Sequence, residues 1–301
     1  MSPLEQPEIF RTILESLQIG VYLVDRERRI VFWNDGAQRI SGYLRHDVVG
    51  RCCPDRLLDH CDSEGNPLCA AACPLTESMR DGRTRDAQVY LRHRAGHRIA
   101  VQVHTVPLKD NHGAIIGAAE SFDDQVAFSG RERRDSHLAA HGCLDSVTGL
   151  PNRGYSHMHL RESLEACAQF GIAFTVLLIR PDQLNHFAEI HGREATDALL
   201  RVVSHSIRNT LRGSDFLGRW ADDRFLAVLT ECEGEAVQKV GERIRRVVSC
   251  SSIQWWGDRL SITVSLGSAT APPCDSIESL CAGAERSLLQ NRQGGGSIPH
   301  A

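Results

Sequence analysis

The sequence predicts an α+β domain followed by an α/β domain. The length of 301 residues is that of two domains at roughly 100–200 residues each. Residues 1–125 cluster two short strand patterns at the front and three at the back, which is an α+β arrangement. The remainder alternates strand and helix patterns, which is an α/β one.

Residues 20–25 (GVYLVD) and 30–34 (IVFWN) are rich in β-branched and aromatic side chains. The charged turn 26–29 between them predicts a hairpin. Residues 87–93, 98–107 and 114–122 give three more strands, with turns at 94–97 and 109–113. Around the cysteine-rich segment 52–73 this implies an antiparallel sheet with helices between its halves. The polar stretch over 127–142 lacks an apolar stripe and reads as a helical linker between domains at 8–126 and 143–297. Beyond it come a helix over 155–170, a strand over 173–179 and a helix near 194–211. A hairpin around Ala221 and Asp222 follows, with 225–229 as its second strand, then a helix over 234–249, a strand over 260–267 and a helix over 276–290. No repeat of 20–50 residues is present, and the one low-complexity patch is 294–296.

With 34 basic and 38 acidic side chains the net charge is −4, which removes any argument for generic nucleic-acid binding. No apolar run approaches the roughly 20 residues of a membrane span. The first residues are acidic and lack an apolar core, unlike a signal peptide. A cytoplasmic chain is expected, with its 11 cysteines reduced and no disulfide framework.

Residues 15–43, ESLQIGVYLVDRERRIVFWNDGAQRISGY, resemble the opening of a PAS domain. In that family a "D…IV.WN..A" pattern sets the first two strands and the next helices wall a ligand cavity. The resemblance covers about residues 8–125 and implies a sensor, in a family that binds haem, flavin, small acids or nothing. No reactive-cysteine motif of the NCRFLQ type is found. His60 falls where a haem ligand would sit, although a lone histidine is more often a surface or core residue. Cys52, Cys53, Cys61, Cys69 and Cys73 crowd the middle of this region. Thiolates at Cys53, Cys61, Cys69 and Cys73 would suit zinc or an iron–sulfur cluster, and a helical Cys69–Cys73 pair would share one face. There is no C-x2-C pair, so small buried hydrophobes or a thiol redox switch are the other readings.

Residues 145–153, DSVTGLPNR, are similar to the DxLTGLPNR opening of GGDEF domains, the diguanylate cyclase family. Residues 262–267 (ITVSLG) and Gly218-Arg219-Trp220 before a five-residue signature support the likeness. The family joins two GTP molecules, one per subunit of an antiparallel dimer, into cyclic di-GMP by two-metal phosphoryl transfer. Against its Gly-Gly-Asp/Glu-Glu-Phe signature this chain reads Ala221-Asp222-Asp223-Arg224-Phe225. Asp222 is expected to make the turn because aspartate tolerates the left-handed region. Asp223 keeps one carboxylate and Arg224 replaces the next. Arg180 stands at the first metal-binding aspartate and Ala188 at the asparagine that reads guanine, while Asp197 keeps the other guanine contact. Arg292 takes the place of a phosphate-binding lysine, and Gly296 falls where an arginine is expected. The resemblance therefore implies a degenerate active site without turnover.

Arg212-Gly-Ser-Asp215 matches the RxxD motif of the family's inhibitory site, which holds an intercalated cyclic di-GMP dimer. Arginine offers a planar fork to phosphate and guanine, and aspartate accepts from the guanine edge. Arg243 on the following helix is expected as a second phosphate contact. The implied protein is a PAS-controlled cyclic di-GMP receptor, homodimeric through the PAS region and linker. The alternatives are a scaffold that pairs with an active cyclase or another protein and binds no nucleotide, or a weak cyclase.

Overall fold

The computed structural model describes residues 6–53, 55, 57–124, 138–271 and 276–293. Two compact units divide the chain, 1–128 and 129–301. The linker expected over 127–142 lies mostly outside the described residues, as does the patch at 294–296.

The first unit runs α1 (Pro7–Ser16), β1 (Gly20–Asp25), β2 (Ile30–Trp33), α2 (Asp35–Ser41), α3 (Arg45–Val48), α4 (Leu68–Ala71), α5 (Pro74–Asp81), β3 (Arg85–Arg92), β4 (Arg98–Lys109) and β5 (Ile115–Asp123). Its five strands form one antiparallel sheet in the order β2-β1-β5-β4-β3. The late strands thus insert beside the early hairpin. Tyr22, Trp33 and Phe122 meet at ring-centroid separations of 5.5–6.3 Å and anchor the core; truncating such a ring costs about 3–5 kcal/mol.

Asn34, at the end of the IVFWN run, is buried and ties three elements together. Its Oδ1 accepts from the amides of Val21 and Ala37, each at 2.8 Å, capping α2. Its Nδ2 donates to the carbonyls of Leu14 and Ile19, each at 2.9 Å. A stranded buried polar group costs about 1–3 kcal/mol, so Asn34→Ala is expected to destabilise this unit by about 3–5 kcal/mol. Urea unfolding measures it, and a loss below about 1 kcal/mol would refute this role.

The second unit contains α6 (Arg153–Phe170), β6 (Phe174–Pro181), α7 (Leu184–Arg208), β7 (Phe216–Ala221), β8 (Arg224–Thr230), α8 (Glu235–Ser249), β9 (Ile253–Trp255), β10 (Asp258–Leu260), β11 (Val264–Thr270) and α9 (Ile277–Gln293). Its main sheet has the order β11-β6-β8-β7, and all neighbouring strands are antiparallel. Helices alternate with strands here, yet each crossover skips one strand, so no neighbours are parallel. This is the split βαββαβ arrangement.

The DSVTGLPNR segment builds the entrance to α6. Asp145 Oδ1 accepts from the Thr148 amide at 2.8 Å and its hydroxyl at 2.7 Å. Asn152 caps the helix through the Tyr155 amide at 3.0 Å. Two expected elements differ. The helix expected near 194–211 follows Gly192 (φ 80°, ψ 175°), which is non-helical and kinks the chain, and runs to Arg208. A further helical segment from Leu184 precedes the kink, and only glycine enters that backbone region without strain. The strand expected over 260–267 is instead the small β9–β10 hairpin followed by β11. Gly267 of the ITVSLG run lies so close to α9 that a Cβ would come within 2.2 Å of the Ala284 carbonyl oxygen and the Leu288 nitrogen. No helix among the described residues is long and apolar enough to cross a membrane.

Candidate functional site

The β7–β8 hairpin turns on Asp222 and Asp223, with Ala221 paired to Arg224. Neither aspartate takes a positive φ, which corrects the expected left-handed turn. A register shift between Arg219 and Ala221 lets an ordinary backbone close the loop. The charges around this turn interlock. Arg180, at the end of β6, brings Nε to 3.3 Å from Asp223 Oδ2. Arg224 brings Nε to 3.4 Å from Asp223 Oδ1 and donates from Nη1 to Glu285 Oε2 on α9 at 2.8 Å. Both oxygens of the one signature carboxylate therefore face guanidinium groups. The two divalent cations of the family do not fit this arrangement, because the position of a metal ligand holds a cation that already neutralises Asp223.

Arg219, two residues before Ala221, entered the sequence reading only as part of the Gly218-Arg219-Trp220 flank and was given no role. It is only 8% exposed, donates from Nη2 to the Asp222 carbonyl and stacks 4.9 Å from the Phe225 ring centroid. Burial pulls its pKa down, while Asp145, Asp222, Asp223 and Asp197 oppose that shift. The hairpin's acidic residues are thus balanced from inside the protein. Ala188 lies before the Gly192 break, without a side chain to hydrogen-bond a base. Asp197 lies after the break with Arg193 Nε 4.0 Å from its Oδ2. The Arg292 side chain and Gly296 lie outside the described residues.

The Arg212–Asp215 turn sits between α7 and β7. Asp215 Oδ2 accepts from the Arg212 amide at 2.9 Å, and the Asp215 amide donates to the Arg212 carbonyl at 3.1 Å. The carboxylate therefore shapes the turn that presents the exposed Arg212 side chain. Arg243 on α8 donates from Nη2 to the Thr210 carbonyl at 2.7 Å, two residues before Arg212. All three side chains act electrostatically on Cys232. Burial raises that thiol's pKa, Asp215 adds to the rise, and Arg212 and Arg243 oppose it. The structure thus brings together Arg212, Asp215 and Arg243.

The cysteines of the first unit behave differently from their zinc or iron–sulfur reading. Among the described residues no group of three or more His, Cys, Asp and Glu side chains is placed to hold a metal. This corrects the expectation for Cys53, Cys61, Cys69 and Cys73. Cys69 lies in α4 and Cys73 at the N-terminal cap of α5, with the helix broken at Ala72 (φ −136°, ψ 38°), so they do not share one helix face. Cys61 is bound by its backbone to Tyr90 on β3. Cys53 Sγ meets the Tyr22 hydroxyl at 3.7 Å, and Cys69 Sγ accepts from the His60 amide at 3.3 Å. Burial pushes the Cys53 thiol far up and that of Cys69 up to about 11. Both are protonated at neutral pH, whereas thiol exchange needs the thiolate. His60 is buried too, with Nε2 3.8 Å from Glu120 Oε1, a gap too narrow for a haem between them.

Comparison with known proteins follows this division. Residues 143–297 match the family described as diguanylate cyclase, GGDEF domain, and residues 14–125 match the PAS fold. The chain belongs to the GGDEF family and carries a PAS fold ahead of the GGDEF domain. It is similar to the probable diguanylate cyclase DgcE of Escherichia coli (strain K12), at 26% identity over 267 residues, 87% of this chain and 23% of that protein. It is also similar to diguanylate cyclase A of Treponema denticola, at 27% identity over 165 residues, 54% of this chain and 44% of that protein. The chain thus spans less than half the length of either curated relative. Among solved structures it resembles the diguanylate cyclase SiaD of Pseudomonas aeruginosa, solved with its activator SiaC, with a TM-score of 0.51 and 26% identity over 55% of this chain and 64% of that one. The coiled coil and GGDEF domain of DgcB from Caulobacter crescentus, solved with c-di-GMP, shares the fold at a TM-score of 0.50 and 23% identity, covering 55% of this chain and 90% of that one.

Proposed function

We propose that this chain is a cytoplasmic signalling regulator whose GGDEF domain makes no cyclic di-GMP but binds it, under control of the PAS domain. The observation that carries the reading is the contrast between two places in one domain. At the hairpin, Arg180 and Arg224 flank Asp223, where the family's chemistry needs metal. At the Arg212–Asp215 turn, a carboxylate shapes the loop that offers an exposed guanidinium, and Arg243 reaches the same loop. Such a constellation suits a ligand with phosphates and guanine edges: the guanidiniums donate in pairs and Asp215 accepts. Two cyclic di-GMP molecules per site are expected, and a homodimer joined through the PAS region and linker.

Calorimetric titration of the whole chain with cyclic di-GMP tests this directly. Saturable binding at two ligands per site is expected. Absence of heat at high micromolar ligand overturns the receptor reading and leaves the protein-interaction scaffold, in which the GGDEF fold pairs with an active cyclase or another partner.

A further inference from the structure

The core of the PAS unit buries a facing pair of titratable side chains whose facing atoms have no hydrogen-bond partner. Glu120 on β5 stands in register with Tyr22 on β1 and Thr105 on β4, so the three share one face of the sheet. His60 comes from the strap, residues 57–67, that runs to α4. Glu120 is 1% exposed and His60 4%. Glu120 Oε1 and His60 Nε2 lie 3.8 Å apart, beyond hydrogen-bond length, and neither atom has a hydrogen-bond partner. Buried polar atoms are nearly always paired, so two unpaired atoms facing each other call for an explanation.

The surroundings offer no fixed counter-charge to Glu120. Tyr22 from β1, Cys53 and, from α4, Cys69 are the other titratable groups around it. The Tyr22 hydroxyl hydrogen-bonds the Glu120 carboxyl and also meets the Cys53 thiol. On the His60 side, Arg98 of β4 is held by Asp59, with Nη2 2.9 Å from Oδ2. We propose that Glu120 and His60 form a single-proton site in the sensor core, which holds the strap closed while Glu120 is protonated and loosens it when that proton leaves to solvent.

The strap is packed as well as bonded: Leu57 and Leu58 join the sensor core, and hydrogen bonds and an ion pair tie it to β3 and β4. Cys61 and Tyr90 exchange backbone hydrogen bonds at 3.0 and 2.8 Å, the Arg92 amide donates to the Leu58 carbonyl at 2.6 Å, and Asp59 pairs with Arg98. Burial sets which group titrates. Against the opposing hydrogen bond from Tyr22 it raises the Glu120 carboxyl to about 7, and it lowers His60 to about 4, so both are neutral in mildly acidic solution. Between about pH 6 and 8 the closed pair passes from zero charge to −1. The linkage has two opposing parts. An open strap returns Glu120 to its ordinary carboxylate range, which favours opening as pH rises, up to about 7. It also returns His60 to its ordinary range, which favours opening as pH falls below about 6.5. Glu120→Gln keeps the second part and deletes the first, so the ratio of wild-type to variant isolates the carboxyl.

Two measurements on the full chain test the site. Infrared difference spectra should show the C=O stretch of a buried carboxylic acid that disappears between about pH 6 and 8 and is absent from Glu120→Gln, whose neutral amide preserves the packing. Amide exchange within residues 57–67, corrected for intrinsic rates, should give a wild-type to Glu120→Gln ratio that rises about tenfold over the same range. A wild-type spectrum without a titrating band overturns the proton site. A titrating band with an unchanged exchange ratio overturns the coupling to the strap. Neither readout depends on cyclic di-GMP, so the receptor reading stands or falls separately.

Discussion

Supplied with GTP and Mg²⁺, the protein is expected to form no cyclic di-GMP, and Arg180→Asp is expected not to restore it. The reason is distributed. Replacing Arg180 removes one cation from Asp223, but Arg224 still faces the other carboxylate oxygen and is itself anchored to Glu285. Ala188 still offers nothing to guanine, and Asp222 still adds an anion where phosphates would pass. The substitution has a second consequence that activity does not report. It sets two carboxylates against each other, and unit charges about 4 Å apart repel by roughly 4 kcal/mol at an effective dielectric constant of 20. Both positions are partly solvated, so the realised loss should be nearer about 1–3 kcal/mol, or about 2–4 °C in Tm per kcal/mol for a domain of this size. Millimolar Mn²⁺ should recover part of that loss in Arg180→Asp and leave the wild-type Tm unchanged. Clear product formation by the wild-type protein, or Mn²⁺ stabilisation of it that Asp223→Asn abolishes, would refute the picture of an internally neutralised hairpin.

Arg212→Ala is expected to weaken cyclic di-GMP binding about tenfold to a hundredfold, since a charge-assisted hydrogen bond contributes roughly 1.5–3 kcal/mol. Asp215 has two duties, and substitutions separate them. Its carboxylate would accept from the ligand, and it also holds the Arg212 amide at 2.9 Å. Asp215→Asn keeps an oxygen for the turn but gives up the charge, whereas Asp215→Ala gives up both and should be the weaker binder. Asp223→Ala, on the hairpin, should change the affinity little. Equal affinities for Arg212→Ala and wild type in a calorimetric titration would place the ligand elsewhere.

Much of this protein was legible in one dimension because its strongest signals are local. The hairpin of β1 and β2 follows from two apolar runs and a charged turn. The replacements at Arg180, Ala188 and the Ala221-Asp222-Asp223-Arg224 turn are visible once the flanking DSVTGLPNR and ITVSLG segments set the register. The Arg212–Asp215 spacing likewise lies within one four-residue turn, which the Asp215 carboxylate closes on the Arg212 amide. Helix extent was less legible: the helix beyond Gly192 was expected, but the helical segment from Leu184 up to the Gly192 kink was not.

By itself the sequence determined the order of elements, the two folds and which side chains stand at the positions that matter. Only the tertiary structure decided what those side chains meet. Arg180 and Asp223 are 43 positions apart in the chain, and Arg224 and Glu285 are 61 apart. Strand pairing of β6 with β8, and packing of α9 against the sheet, turn these separate substitutions into one neutralised cluster. The cysteines show the converse. Their spacing allowed a ligand set, but α4 and α5 break between Cys69 and Cys73, and the described residues gather no three ligating side chains. Glu120 and His60, 60 positions apart, carry no motif at all; each looks like an ordinary polar residue until the sheet and the strap remove water from both. Desolvation is a property of the folded core, and no local pattern encodes it.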